Sequence, residues 1–380
     1  MNYSERVRQI EPSATVSVGN LAAALREDGV DIADLSVGEP DMGTPQHIVE
    51  RGRQALAAGH TGYTASNGIP ELREAISKNL GERGLSYEAD NVIVTPGAKQ
   101  AIFETVLALV DPGDEVVLID PAWVSYEAIV SLAGGSVTRV DTTPHEFQLE
   151  PALDELSEAI SDSTELIIIN SPSNPTGAVY SATALEGVRD LAVDHDVTVI
   201  SDEIYGELTY DGGYTSPGTL EGMADRTVTI DGFSKGYAMT GWRLGYLAAP
   251  SGLVSQAGKI HTHSVTCASN FAQHAAVEAL ENGRPAVEEM VDTFHERRDF
   301  LVEKLAAEGV SVTPPDGAFY LMVPVEDDDQ QWCEAALETA HVATVPGSAF
   351  GASGYARFAY TRSIDRLGEA VDRLTEYGYL

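Results

Sequence analysis

Lys235 follows Ser234 and is followed after a short gap by Gly241-Trp242-Arg243, in the run S-K-G-Y-A-M-T-G-W-R. Lysine is scarce here, with five in 380 residues. A lysine amine can form an imine with a carbonyl compound, and a serine hydroxyl with a nearby guanidinium can hold a phosphate. Pyridoxal 5'-phosphate needs both services. The same run also reads as an ordinary surface loop with a solvated lysine, so the rest of the chain must decide between them.

Other polar residues stand just after apolar runs. Asn174 lies in N-S-P-S-N-P-T-G, Asp202 and Tyr205 in S-D-E-I-Y, and Gly97-Ala98-Lys99 at the opening of a helical pattern. Trp123 follows Pro121-Ala122, Tyr63 lies in T-G-Y-T, and Arg357 sits in the alternating apolar stretch Y-A-R-F-A-Y. Each has a plainer reading. Asp202 could cap a helix, Asn174 and Tyr63 could be turn residues, Trp123 could be packing, Lys99 could be a solvated first-turn lysine, and Arg357 could pair across strands.

The elements that position these residues follow from the apolar pattern. Strands are predicted at 92–95, 115–119, 137–140, 166–170, 197–201, 227–230 and 243–248, with helices at 100–110, 125–133 and 183–194. Leu166-Ile167-Ile168-Ile169 is continuous rather than alternating, as in a strand covered on both faces. Alternating strands and helices predict an α/β, doubly wound, mostly parallel sheet, in which ligands bind beyond the carboxyl ends of the strands. After a long helix from about 285 to 308, strands near 310–313, 319–323, 343–345 and 355–361 with helices near 330–340 and 364–377 predict a smaller α+β domain. The expected division is a large domain at 36–284, with 1–35 and 285–380 forming an N-terminal arm and the small domain.

Bulk properties exclude several classes. A net charge of −36 argues against nucleic acid and anionic membranes as partners. The acids are spread along the chain beside 43% hydrophobic residues, so they read as adaptation to high salt rather than as a disordered tail. Cys267 and Cys333 make no disulfide framework, and the first residues lack a signal-peptide core, which together predict a cytoplasmic protein. No run reaches the length of a membrane span. No metal site is expected. His261-Thr262-His263 reads as structural, and Glu326-Asp327-Asp328-Asp329 as a solvated loop.

Read together, these motifs resemble the class I aminotransferases of pyridoxal-phosphate fold type I, and most of all their bacterial and archaeal aspartate aminotransferase subgroup. The resemblance runs nearly end to end. It includes P-S-A-T-V at 12–16, G-E-P-D at 38–41, T-G-Y-T-A at 61–65, T-P-G-A-K-Q-A at 95–101, W-V-S-Y at 123–126, N-S-P-S-N-P-T-G-A-V-Y at 170–180, S-D-E-I-Y at 201–205, S-K-x-x-x-M-T-G-W-R at 234–243 and V-P-G-S-A-F at 345–350.

The resemblance implies roles. Lys235 bonds the cofactor aldehyde and then moves the substrate proton. Asp202 faces the pyridine nitrogen, while Tyr205 and Asn174 reach the phenolic oxygen. Gly97, Ala98, Lys99, Ser234 and Arg243 hold the phosphate, joined by Tyr63 from a partner subunit, so a homodimer is implied. Trp123 stacks on the ring. Arg357 grips the substrate α-carboxylate with help from Gly38 and Asn174, and Lys99, beside Trp123, meets a distal carboxylate. Glu11 stands before Pro12 where some relatives carry a base; an acid there weighs against prephenate as substrate and obscures aspartate. The expected reaction moves an amino group from aspartate or glutamate to a 2-oxo acid. Aromatic, alanine-type or prephenate transamination, a carbon–sulfur lyase and a non-catalytic cofactor-binding regulator are the alternatives.

Overall fold

The computed structural model describes residues 2–325 and 328–380. A short strand, β1 (Ala33–Asp34), precedes the main sheet. That sheet comprises β2 (Val92–Thr95), β3 (Glu115–Asp120), β4 (Ser136–Asp141), β5 (Thr164–Asn170), β6 (Thr198–Asp202), β7 (Thr227–Gly232) and β8 (Gly245–Ala248). Its order is β2-β8-β7-β6-β5-β3-β4. The strands β7-β6-β5-β3-β4 run parallel, and β8 is antiparallel to both its neighbours.

Helices cover both faces, which explains the unbroken apolar run in β5. Leu166 and Ile168 pack with Ile102, Val106, Ile129 and Val254 on one side. Ile167 and Ile169 pack with Leu156, Leu185 and Val188 on the other. Burying side chains of this kind contributes about 1.5–3 kcal/mol each. Local signals set the helix ends: the Ser181 hydroxyl accepts from the Ala184 amide at the start of Ala182–Asp194, and Gly134, at φ 96°, stops Ser125–Ala133.

The C-terminal part adds β9 (Tyr320–Pro324), β10 (Val342–Ala343), β11 (Val345–Pro346) and β12 (Tyr355–Ala359). Strands β11, β12 and β9 form an antiparallel sheet, and β10 pairs in parallel with β1. Helices Arg284–Ala307 and Ile364–Glu376 pack on it through a core containing Phe294, Phe319, Phe358, Tyr360 and Leu367.

Four expectations need correction. Residues 310–313 form no strand: the Val310 amide donates back to the Leu305 carbonyl of the preceding helix, and Pro314-Pro315 follow directly. The 343–345 run divides into β10 and β11, which belong to different sheets. Arg243 does not open a strand; it sits in a left-handed turn at φ 52°, ψ 61°, and β8 begins at Gly245. Asp329 is not solvated: it is buried and accepts from the Ser348 amide and hydroxyl, both at 2.7 Å. Asp328 caps the following helix by accepting from the Gln331 amide, and Glu326 and Asp327 lie outside the described residues. Among the described residues no helix is long and apolar enough to cross a membrane, and no cluster of His, Cys, Asp and Glu could hold a metal. His261 is buried against Glu104, with Nδ1 at 3.0 Å from its carboxylate.

Candidate active site

The carboxyl ends of β5 and β6 and the turns after β2 and β7 open onto one cavity of about 430 Å³. Its walls include Gly38, Ala98, Lys99, Trp123, Asn174, Asp202, Tyr205, Ser234, Lys235, Arg243 and Arg357. Residues near 174, 202 and 235 in sequence meet in space because the parallel strands all end on that side, and Arg357 joins them from β12 of the antiparallel sheet.

Register places the first group. Asn170 and Asp202 are direct partners across β5 and β6. The Asn170 side chain donates to the Asp202 carbonyl and accepts from the Asn174 amide, both at 2.8 Å. The Asp202 carboxylate accepts from the Tyr126 hydroxyl at 2.7 Å and from the Ile204 amide at 3.3 Å. Burial lifts its carboxyl to about 6, opposed by the Tyr126 hydrogen bond.

Lys235 reaches across from the turn after β7. Its Nζ donates to the Gly38 carbonyl at 2.5 Å and lies 5.8 Å from the Tyr205 ring centre. Burial pulls the amine down to about 8; Glu39 pushes the other way, and Arg357 and Arg243 add to the lowering. Near neutral pH a useful fraction is therefore uncharged, as a nucleophilic amine requires.

At the far wall Gly97 adopts φ 88° and caps the 12-residue helix Ala98–Leu109. Arg243 arches over this turn, donating to the Thr240 carbonyl at 2.8 Å, and a Cβ on Gly97 would fall 2.5 Å from its Nη2. A Cβ on Gly245 would fall 2.3 Å from the Ala98 nitrogen, so glycine there lets β8 close on the helix start. The result is a set of helix-start amides beside a guanidinium and the buried Ser234, an arrangement suited to a phosphate.

Arg357 is 2% exposed, yet no carboxylate pairs with it among the described residues. It donates to Asn174 Oδ1 at 2.9 Å and to the Ser36 carbonyl at 2.7 Å, and its Nε has no partner. It lies over the Tyr320 ring at 4.5 Å, and burial lowers its pKa. Tyr320 in turn meets the Tyr205 hydroxyl at 2.9 Å, and its own hydroxyl needs the bare Cα of Gly38, where a Cβ would lie 2.2 Å away. Lys99 Nζ stands 4.6 Å from the Trp123 ring; loss of water and then Arg243 lower its pKa.

Two expected residues stand apart. Tyr63 does not line this cavity and is 87% exposed. Glu11 is exposed and borders a second groove against the C-terminal part, while Thr15, Val16 and Gly19 of the same segment reach the main cavity. Tyr126, Tyr320, Asn170 and Ser36 were not singled out from sequence. Tyr126 ends the W-V-S-Y run and Asn170 opens N-S-P-S-N-P, but nothing in spacing distinguishes their side chains from core or turn residues.

Residues 30–374 match the family described as aminotransferase class I and II. The chain is 43% identical to an aspartate aminotransferase of Thermotoga maritima, covering 98% of each. It is 43% identical to an aspartate/prephenate aminotransferase of Thermus thermophilus, covering 97% of each. A solved Thermus thermophilus aspartate aminotransferase with maleate superposes at a TM-score of 0.96 and 42% identity over 99% of each chain.

Proposed function

This chain belongs to the class I and II aminotransferase family, and on that premise we propose that it uses pyridoxal 5'-phosphate to move an amino group from aspartate or glutamate to a 2-oxo acid. The observation that carries the reading is the cavity in which Lys235, Asp202 and the carboxylate-free Arg357 converge. A buried guanidinium held only by neutral acceptors awaits an anion, and the α-carboxylate of an amino acid supplies one with matching fork geometry.

The donor set fits the cofactor. Ala98, Lys99, Ser234 and Arg243, around the Gly97 turn, would hold its phosphate, Trp123 would stack on its ring, the buried Asp202 would face the ring nitrogen, and Tyr205 and Asn174 would serve its phenolic oxygen. When bound, the cofactor supplies a ring that accepts the electron pair left at the substrate Cα. Lys235 would anchor it and would carry the proton released at the substrate Cα. Asp202, whose carboxyl burial lifts to about 6, would be the acid that favours a protonated ring nitrogen. Arg357 and Asn174 fix the substrate carboxylate so that the Cα–H bond faces Lys235.

Lys99 supports the dicarboxylate preference. It is a cation at the cavity wall, on a different element from Arg357, and its partner on the ring side is only Trp123. Prephenate stays as a second reading, because Glu11 borders the other groove and puts no negative charge into this wall.

A two-fold homodimer completes the proposal. Tyr63 is 87% exposed outside its own cavity, which supports the reading that it serves a partner's phosphate. The unpaired Cys267 and Cys333 support a cytoplasmic site of action. The division at 36 and 285 draws support from a core built mainly of residues 290–374, though Tyr205 and Leu208 of the large part join it.

The test is an amino-donor panel on the cofactor-loaded protein, followed by visible absorbance. Aspartate and glutamate bleach the lysine-linked band at the lowest concentrations. Preference for alanine or phenylalanine, or release of pyruvate and ammonia from cystathionine, refutes the assignment.

A further inference from the structure

Arg83 holds two buried carboxylates on its own. It follows helix Pro70–Glu82, and its guanidinium donates through Nη1 to Asp231 Oδ2 at 2.9 Å and through Nη2 to Glu203 Oε2. Glu203 is fully buried and Asp231 nearly so.

The place of this bridge is informative. The β6–β7 ladder runs from Val199–Thr227 to Asp202–Ile230 and stops there. The Glu203 amide still donates to the Ile230 carbonyl at 2.8 Å, after which the chain leaves the sheet. Strand β7 continues for two residues paired only with β8, as Asp231–Tyr246 and Gly232–Gly245. Glu203 and Asp231 are thus the next residues on the two strands after their backbone pairing ends. Asp202 immediately precedes one, and Ser234-Lys235 closely follow the other.

The remaining contacts do not join the strands. Ser201 and Ser216 donate to Glu203 at 2.8 and 2.5 Å. The Gly232 amide and the Tyr246 hydroxyl donate to Asp231 at 2.7 and 3.3 Å. Among the described residues, only the Arg83 side chain spans Glu203 and Asp231. Its planar fork can address two carboxylates at once, which a single ammonium cannot do with the same geometry.

We propose that Arg83 is a positioning residue for the reaction: it fixes the spacing of β6 and β7 where their ladder ends, and so the distance between Asp202 and Lys235. The inference rests on the roles assigned to those two residues above.

Full-length Arg83→Met and Arg83→Lys, loaded with pyridoxal 5'-phosphate, test it. In Arg83→Met, kcat for aspartate falls about tenfold or more while KM changes less than about twofold, because Arg357 and Lys99 stand on other elements. The pH midpoint of the visible lysine–cofactor band moves by about half a unit or more, and Arg83→Lys recovers only part of both effects. Without cofactor, amide exchange in Arg83→Met accelerates at 199–205 and 227–235 more than elsewhere. A folded Arg83→Met with wild-type kcat and midpoint overturns the proposal whatever its melting temperature. Where Arg83→Met is insoluble, Asp231→Ala removes one prong, and unchanged kcat and midpoint in it and in Arg83→Lys overturn the proposal equally. Failure of the underlying reading looks different: the band then persists in Lys235→Ala or is absent from the wild type.

Discussion

Tyr126, in the helix Ser125–Ala133, donates a hydrogen bond from its hydroxyl to the Asp202 carboxylate at 2.7 Å. The bond favours the ionised acid, against the burial that lifts it to about 6. Tyr126→Phe removes it. The acid limb of the kcat–pH profile then moves upward, and kcat at neutral pH falls by about tenfold, since a hydrogen bond to a charged group is worth about 1.5–3 kcal/mol. An unmoved limb contradicts the role given to this pair.

Arg357 and Lys99 separate the two ends of a dicarboxylate. Arg357→Lys lowers kcat/KM for every amino donor by about 100-fold, because one ammonium cannot replace the two-pronged grip. Lys99→Ala lowers it for aspartate and glutamate by about tenfold or more and leaves alanine little changed. Steady-state kinetics on the three donors read both effects. Equal losses on alanine and aspartate in Lys99→Ala contradict a distal-carboxylate role.

Asp202 also makes a stability prediction. A carboxyl raised from 3.8 to about 6 binds its proton more tightly folded than unfolded. Its stabilising share is therefore present below about pH 4 and is lost as the pH rises through about 6. Above that, in cofactor-free protein, the buried charge costs on the order of 3 kcal/mol. Cofactor-free Asp202→Asn accordingly melts higher than wild type at about pH 8, with the gap closing towards about pH 4.5, while the loaded variant loses most of its turnover. Melting curves at the two pH values decide it. A cofactor-free variant less stable than wild type at the higher pH is the contrary result.

The charge of −36 predicts a response to salt. The 59 acidic residues against 23 basic ones repel one another in a compact state, and about 1 M salt shortens the screening length to roughly 3 Å. Tm rises by several degrees from low salt to molar KCl. A flat or falling Tm removes the high-salt reading.

Much of the fold was legible because burial writes itself into the strands. The continuous Leu166–Ile169 run marked a strand covered on both faces, and the polar residues directly after such runs marked the cavity edge. What stayed hidden depends on partners remote in sequence. Tyr126 occupies a helical core position, and only the fold reveals that its hydroxyl finds Asp202, 76 residues on. Arg83 meets Glu203 and Asp231 across 120 and 148 residues. Asp329 looked solvated within an acidic run until Ser348 of a distant turn claimed both its oxygens. The 310–313 run had a strand's composition, but its first amide, of Val310, turns back to the Leu305 carbonyl at the end of the preceding helix.

Lys235 carries the whole account, and one measurement addresses it directly. The protein is loaded with pyridoxal 5'-phosphate, reduced with borohydride, digested and mapped by mass spectrometry. The account predicts the reduced cofactor on Lys235 alone among the five lysines. Label on Lys99 or another lysine, or none at all, contradicts it.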